Sequence, residues 1–172
     1  MTTALLPGSF DPFTVGHLDL ARRATAFADR LIIAVGTNRA KTPLLTAAER
    51  RELIQRATAD IPGIDVVIME GTTIALAKEV GATIIVKGIR DGADVAWENA
   101  QAAVNREMGG IDTIYLPTRP ELAHISSSVV RELYFWGMDI SRYVPAAIAE
   151  QLRNNRGNAA AGNSPQNGGA HV

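Results

Sequence analysis

Short apolar runs alternate with amphipathic stretches along the chain, and this alternation constrains the fold more than any other feature. Five runs rich in β-branched and large aliphatic residues are predicted as strands: Ala4–Leu6, Leu31–Val35, Ile64–Met69, Thr83–Val86 and Thr113–Leu116. Continuous apolar strands are typical of parallel sheets buried on both faces. The expected fold is therefore α/β, a Rossmann-like, doubly wound sheet of five parallel strands with right-handed crossovers.

Helical patterns fill the intervals between these strands and follow the last one. The first begins near Gly16, with an apolar stripe that continues through Phe27 and Ala28, and Thr46-x-x-Glu49 predicts a capping box for the second. The others are predicted over Thr73–Val80, Asp94–Met108, Ser127–Phe135 and Ala146–Arg153. In the fourth helix the apolar stripe consists of Trp97, Ala100, Val104 and Met108.

The length and the composition predict one domain, residues 1–153, followed by a polar tail. The tail, residues 154–172, is dominated by Asn, Gly, Ala and Pro. Because such a segment buries too little apolar surface to offset the loss of chain entropy, we expect it to be disordered.

Charge and residue content exclude several classes of function. The net charge of −1 provides no broad positive field for a nucleic-acid partner. No apolar run reaches the roughly 20 residues that a membrane span needs. The chain has no cysteine, so disulfides, thiolate metal sites and cysteine nucleophiles are excluded. We expect a cytoplasmic protein without a membrane partner and without a metal site of its own.

The residues that could carry chemistry follow the predicted strands. Ligands of doubly wound sheets bind outside the carboxyl ends of the strands, where the strand order reverses. If the first and fourth strands are neighbours there, His17, Lys87 and Arg90 should converge on one crevice. Taken singly, each of these cations is more often a solvated surface charge.

The segment from Gly8 to His17 is the most specific of these connections. A glycine-rich turn between a strand and a helix presents backbone N–H groups to an anion, and the helix dipole favours negative charge there. Asp11, in an Asp-Pro turn, is expected to be structural. The Ser126–Ser128 run is expected both to cap a helix and to offer N–H and hydroxyl donors to an anion. The alternative for the first segment is an ordinary strand–turn–helix connection.

Thr14-Val15-Gly16-His17 resembles the (His/Thr)-x-Gly-His signature of a class of nucleotidyltransferases. With Lys41, the Lys87–Arg90 loop, Glu98 and Ile125–Ser128, the chain resembles the phosphopantetheine adenylyltransferase family from about residue 3 to 153. The resemblance implies a nucleotidyltransferase fold with C-terminal helices. It also implies transfer of AMP from ATP to 4′-phosphopantetheine, with Mg²⁺ carried by ATP, in the penultimate step of coenzyme A synthesis. A homohexamer and feedback inhibition by coenzyme A are implied as well.

The same resemblance assigns roles to individual positions. It implies that ATP contacts Ser9, Phe10, His17, Gly88, Ile89, Arg90, Glu98, Leu122, Ala123, His124, Ile125, Ser126, Ser127 and Ser128. It implies that phosphopantetheine contacts Ser9, Lys41, Thr73 and Lys87. The residues expected to act in catalysis are His17, Lys41 and Arg90.

The chain departs from the family pattern at several positions. Ser9 replaces a common Thr and keeps the hydroxyl, whereas Lys87 replaces an Arg and loses its bidentate geometry. Ala96 lacks a usual carboxylate, Thr73 is more polar than the expected aliphatic residue, and His124 stands where an aromatic residue is common.

Two rival functions remain at this point. Nicotinamide mononucleotide adenylyltransferases and glycerol-phosphate cytidylyltransferases share the first motif, but they usually carry His at the position of Thr14. A non-catalytic nucleotide-binding protein could also use the same fold.

Overall fold

The computed structural model describes residues 1–37 and 42–162, with side chains up to residue 158. Its strands are β1 (Thr3–Gly8), β2 (Arg30–Gly36), β3 (Ile64–Met69), β4 (Ile84–Ile89) and β5 (Asp112–Pro117). Its helices are α1 (Val15–Ala24), α2 (Ala47–Ala57), α3 (Thr73–Glu79), α4 (Gly92–Gly109), α5 (Ser127–Phe135) and α6 (Ala146–Gly162). A single 3₁₀ turn, Pro120–Leu122, precedes α5.

The five strands form one parallel sheet in the order β3-β2-β1-β4-β5. The chain runs outward from β1 to β3, crosses back and continues from β4 to β5, so the strand order reverses between β1 and β4. This arrangement confirms the predicted doubly wound sheet. It also places β1 and β4 side by side, as the convergence of their loops requires.

Alternate residues of the central strands enter two separate cores. Leu6 and Ile33 belong to the larger core, together with residues of α1, α2, α5 and α6. Leu5 and Ile32 belong to the smaller one, together with Leu76 and other residues on and around α3. Because successive side chains of a strand point to opposite faces, the continuous apolar runs are explained by helices on both faces of the sheet.

The capping box predicted for α2 is present. The hydroxyl of Thr46 accepts from the N–H of Glu49 at 3.2 Å, and the Glu49 carboxylate accepts from the N–H of Thr46 at 2.7 Å. In α1, by contrast, the predicted stripe is too long. The helix ends at Ala24, and Phe27 beyond it is 40% exposed while Ala28 is buried.

The predicted stripe of α4 faces away from the core. Trp97, Val104 and Met108 are 69%, 46% and 67% exposed, and none of the residues of α4 is buried. Helical spacing shows that apolar residues share a face, but it does not show what covers that face.

The prediction that helix α6 ends at Arg153 and that a disordered tail starts at residue 154 is wrong for residues 154–162, which continue the helix to Gly162. Arg156 stabilises this extension: its guanidinium lies 4.6 Å from the centre of the Tyr134 ring and donates to the carbonyl oxygens of Tyr134 and Gly137. Alanine at positions 159–161 also has the highest helix propensity. The rest of the predicted tail lies outside the described residues.

Candidate active site

A cleft of about 350 Å³ lies at the carboxyl ends of β1 and β4, where the strand order reverses. Its walls come from the β1–α1 turn, the first turns of α1, the β4–α4 connection and the start of α5. The predicted site residues that line it are Ser9, Phe10, His17, Lys87, Gly88, Arg90, Glu98, Ile125, Ser126, Ser127 and Ser128. The sheet therefore brings three distant segments of the sequence to one cavity.

Other predicted site residues do not line this cleft. These are Thr73, Ile89, Leu122, Ala123 and His124. Thr73 begins α3, which follows β3 at the edge of the sheet, and the exposed His124 ring lies 6.3 Å from the Tyr143 ring. Lys41 lies outside the described residues. The binding roles of all these residues remain predictions.

The β1–α1 turn has an unusual backbone at Phe10. Its φ angle of +51° lies in the left-handed region, which a residue with a side chain rarely adopts. The buried Phe10 ring lies 5.5 Å from the Phe13 ring and 5.1 Å from the His17 ring. It also explains Gly8, because a Cβ there would lie 2.7 Å from Cζ of Phe10.

Thr14 and His17 cap α1 reciprocally. The N–H of Thr14 donates to Nδ1 of His17 at 3.0 Å, and the N–H of His17 donates to Oγ1 of Thr14 at 3.3 Å. The pKa of His17 is lowered from 6.5 to about 4, chiefly by burial and further by the positive charge of Arg90. The imidazole is therefore neutral near pH 7, and because Nδ1 accepts, its proton is on Nε2.

Lys87, at the end of β4, is paired with Glu98 of α4. Its Nζ lies 3.2 Å from the Glu98 carboxylate, and both side chains are mostly buried. The two predicted ligands of different substrates therefore contact each other in the absence of substrate. A phosphate that binds Lys87 has to compete with this carboxylate.

Arg90 forms a bidentate pair with Asp94, one helical turn further along the chain. Its Nε and Nη2 donate to the two carboxylate oxygens at 2.9 and 3.0 Å. The hydrogen bond raises the pKa of Arg90 and lowers that of Asp94. Sequence reasoning missed Asp94, although its i, i+4 spacing from a candidate phosphate ligand was a usable signal.

The start of α5 carries the serine run. Oγ of Ser126 accepts from the N–H of Val129 at 3.2 Å and caps the helix, as predicted. Oγ of Ser127 donates to the carbonyl of Pro12 at 2.8 Å, which joins α5 to the β1–α1 turn. This hydroxyl is thus engaged within the protein, whereas Ser128 is exposed.

Asp11 is structural, as predicted, but its partners are distant in sequence. Its carboxylate accepts from the N–H groups of Leu44 and Leu45 at 2.8 and 2.9 Å and lies 3.7 Å from the Arg131 guanidinium. The turn that precedes α1 is thereby tied to the segment that precedes α2. Such a contact depends on tertiary structure, so the local Asp-Pro signal could not reveal it.

A polar network on α1 was also missed. Asp19 contacts Arg23 at 3.3 Å and Arg119 at 2.8 Å, and Arg23 donates to the carbonyl of Pro117 at 2.8 Å. Asp19, Arg23 and Thr118 line the cleft. Asp19 and Arg23 show helical spacing, but nothing in the sequence indicates that their face borders the cleft.

Carboxylates and imidazoles are spread out rather than clustered around the cleft. Among residues 1–37 and 42–158, no three side chains of the types His, Asp or Glu come close enough together to hold a metal ion. Within the same part of the chain, none of the helices combines the length and the apolarity that a membrane span requires.

The comparisons with known proteins agree with this geometry. Residues 5–133 match the family model described as cytidylyltransferase-like, which is a class of nucleotidyltransferases. Phosphopantetheine adenylyltransferase of Porphyromonas gingivalis is 46% identical over 83% of this chain and 93% of its own length. The enzyme of the same name from Symbiobacterium thermophilum is 44% identical over 89% of this chain and 95% of its own. The chain belongs to the phosphopantetheine adenylyltransferase family of enzymes.

A solved structure supports the fold. A Vibrio parahaemolyticus protein described as a nicotinate-nucleotide adenylyltransferase superposes with a TM-score of 0.64, at 21% identity, over 90% of this chain and 100% of that one. At this identity the likeness establishes the nucleotidyltransferase fold and not the substrate.

Proposed function

We propose that this enzyme transfers the adenylyl group of ATP to 4′-phosphopantetheine, producing dephospho-coenzyme A and pyrophosphate in the penultimate step of coenzyme A biosynthesis. The observation that carries the proposal is the cleft at the β1–β4 switch point, where His17, Lys87 and Arg90 line one cavity. The names of the relatives support the choice of acceptor.

His17 is proposed to donate a hydrogen bond to the α-phosphate. With Nδ1 occupied by the Thr14 N–H, the neutral ring presents only the N–H of Nε2. A donor in this state cannot remove a proton, and the acceptor needs no general base. A phosphate monoester, whose second pKa is about 6, is largely dianionic near neutrality. Catalysis then consists of alignment and stabilisation of the charge that develops on phosphorus.

The positively charged side chains of the site are proposed to bind different phosphate groups of the two substrates. Arg90 and the start of α5 would hold the β- and γ-phosphates, which leave as pyrophosphate, while Lys87 and Lys41 would bind the acceptor phosphate. Lys41 is also proposed to stabilise the transition state. Asp94 and Glu98 compensate the two cations before substrate binds. Arg90 and Lys87 would each exchange a carboxylate partner for a phosphate when substrate binds.

The metal ion, the oligomeric state, the regulation and the cellular location are proposed from the resemblance to the family. Mg²⁺ is proposed to arrive as part of MgATP, because the described carboxylates form no cluster of their own. A homohexamer is proposed to cover the exposed apolar face of α4 and the exposed Phe135 and Trp136 at the end of α5. Feedback inhibition by coenzyme A and a cytoplasmic location complete the proposal.

An acceptor panel tests the reaction. Pyrophosphate release from MgATP is measured with 4′-phosphopantetheine, nicotinamide mononucleotide, nicotinate mononucleotide and glycerol 3-phosphate, and each reaction is repeated with MgCTP. We expect release with MgATP and 4′-phosphopantetheine alone. A preference for a mononucleotide or for CTP would identify a different nucleotidyltransferase.

If folded protein binds MgATP but releases no pyrophosphate with any pair of nucleotide and acceptor, the result would indicate a non-catalytic nucleotide-binding protein. Binding of MgATP is measured by calorimetry on the same preparation.

A further inference from the structure

Arg50 is a charged residue in the interior, outside the residues that line the cleft. It lies on α2 and is 5% exposed. Burial lowers its pKa, and the negative charge of Asp11 partly compensates. A buried guanidinium is costly unless its donors are satisfied, and here every described partner is a backbone carbonyl oxygen.

These carbonyls belong to three separate segments. Nε of Arg50 donates to Leu45 at 3.0 Å and, more weakly, to Thr46 at 3.4 Å, just before α2. Nη1 donates to the carbonyl of Gly36 at 3.0 Å, at the end of β2, and to that of Ser9 in the β1–α1 turn. One side chain therefore connects two strand ends to a helix start.

The contact with Ser9 fixes the plane of the Ser9–Phe10 peptide. In a trans peptide the C=O and the N–H point in opposite directions, and this bond is trans. Because the carbonyl of Ser9 points toward Arg50, the N–H of Phe10 points away from it. Among the described residues this N–H has no hydrogen-bond partner, and Ser9 and Phe10 both line the cleft.

The backbone of Phe10 needs such support. A left-handed conformation at a residue with a side chain is unfavourable and persists only where the surroundings hold it. The ring is held by contacts with Phe13 and His17. The preceding peptide is held by Arg50.

We propose that Arg50 is a positioning residue, which orients the Ser9–Phe10 peptide so that the N–H of Phe10 donates to the α-phosphate of ATP. It acts through this peptide and does not touch the substrate. The assignment rests on the proposed adenylyl transfer, since it supplies a donor to the phosphorus that is attacked.

Arg50→Lys tests the proposal, with Arg51→Lys on the exposed side of the same helix as the matched control. Lysine keeps the charge but has one ammonium in place of the separated Nε and Nη1 donors. In Arg50→Lys we expect kcat to fall about 10- to 100-fold, somewhat less than the loss of a whole donor, with KM for MgATP within about threefold. Arg51→Lys should match the wild-type enzyme.

The kinetics are measured well below the melting temperature of each variant, and the folded fraction is checked by circular dichroism. A merely structural arginine would lower the melting temperature and leave kcat per folded molecule unchanged. That result would overturn the proposal.

A second measurement uses the wild-type enzyme, so it does not depend on the folding of a variant. The amide signal of Phe10 is followed in ¹⁵N-TROSY spectra of deuterated protein during titration with MgATP. We expect a large shift at Phe10, of a size that hydrogen bonding to phosphate produces. An unchanged Phe10 signal, while Gly88 at the other wall of the cleft responds, would refute the donor and with it the role of Arg50.

The proposed reaction and the proposed role of Arg50 can be contradicted independently of each other. Wild-type enzyme that makes no dephospho-coenzyme A would contradict the proposed reaction, whereas the titration with MgATP would still decide whether the Phe10 N–H binds phosphate.

Discussion

The backbone N–H of Thr14 donates to Nδ1 of His17 at 3.0 Å, and this contact fixes the tautomer of the imidazole. The reciprocal bond, from the N–H of His17 to the Thr14 hydroxyl, holds the ring at the first turn of α1. His17 therefore completes the capping box of α1 and also supplies the cleft with one donor, the N–H of Nε2. The role proposed for His17 depends on this arrangement.

Replacement of His17 should affect turnover more than nucleotide binding. In His17→Ala we expect kcat to fall about 10²- to 10³-fold, the usual cost of losing one preorganised donor. KM for MgATP should change little, because the donor acts chiefly on the transition state. Steady-state kinetics check this, with Arg51→Lys, at an exposed position outside the cleft lining, as the control. Near-wild-type turnover of folded His17→Ala would remove His17 from the mechanism.

The low pKa of His17 should appear in the stability of the protein. Unfolded protein binds a proton at this residue below pH 6.5, but the folded protein does so only near pH 4. The free energy of unfolding should therefore fall as the pH decreases from 6.5 to 4, by on the order of 3 kcal/mol from this group. Urea unfolding of wild type and His17→Gln measures it.

The stability of wild type relative to His17→Gln should decrease over this pH range. A constant difference between wild type and His17→Gln from pH 7 to pH 4 would show that the pKa of His17 is not lowered.

Gly8 should tolerate no side chain. In Gly8→Ala the new Cβ would lie 2.7 Å from Cζ of Phe10, whose ring is enclosed by Phe13 and His17 and cannot withdraw. We expect a loss of stability of about 1–3 kcal/mol, as for other overpacked sites, and a lower kcat. Gly71→Ala, where a Cβ meets nothing within 4 Å, is the matched control. Equal stability and activity of the two variants would contradict the packing at Phe10.

Arg90→Lys should weaken the binding of MgATP selectively. Lysine cannot reproduce bidentate contacts with phosphate, so we expect KM for MgATP to rise about tenfold, while KM for 4′-phosphopantetheine stays within about twofold. Arg22→Lys, at an exposed pair with Asp60, serves as the control. If only the KM for 4′-phosphopantetheine increased, the result would show that Arg90 binds the acceptor and not ATP.

The exposed face of α4 should be an interface between copies of the chain. Val104→Glu introduces a charge among exposed apolar residues that include Trp97 and Met108. Sedimentation velocity should show a hexamer for wild type and smaller species for Val104→Glu, whereas Asn99→Glu, at a polar exposed position of the same helix, should leave the assembly intact. A monomeric wild-type protein would contradict this.

The sequence was sufficient to predict the sheet and the loops that meet at its switch point. Apolar runs and helical periodicity are local signals, and the (His/Thr)-x-Gly-His segment forms the N-cap and the first turn of α1, directly after the β1–α1 turn. The capping role of Ser126 also followed from a local pattern.

Contacts between distant segments could not be predicted in this way. The partners of Asp11, the four carbonyls around Arg50 and the bond from Ser127 to Pro12 arise only when the strands pack. Periodicity likewise could not show that the apolar stripe of α4 faces outward, because helical spacing is the same for a face covered by the core and for one covered by another chain.

The central claim is attack of the phosphopantetheine phosphate on the α-phosphorus of ATP, and isotope transfer tests it most directly. The enzyme is incubated with 4′-phosphopantetheine and MgATP labelled with ³²P at the α- or the γ-position. We predict that the α-label appears in dephospho-coenzyme A and the γ-label in pyrophosphate. Transfer of the γ-label to the acceptor, or no labelled dephospho-coenzyme A from folded enzyme, would contradict the account.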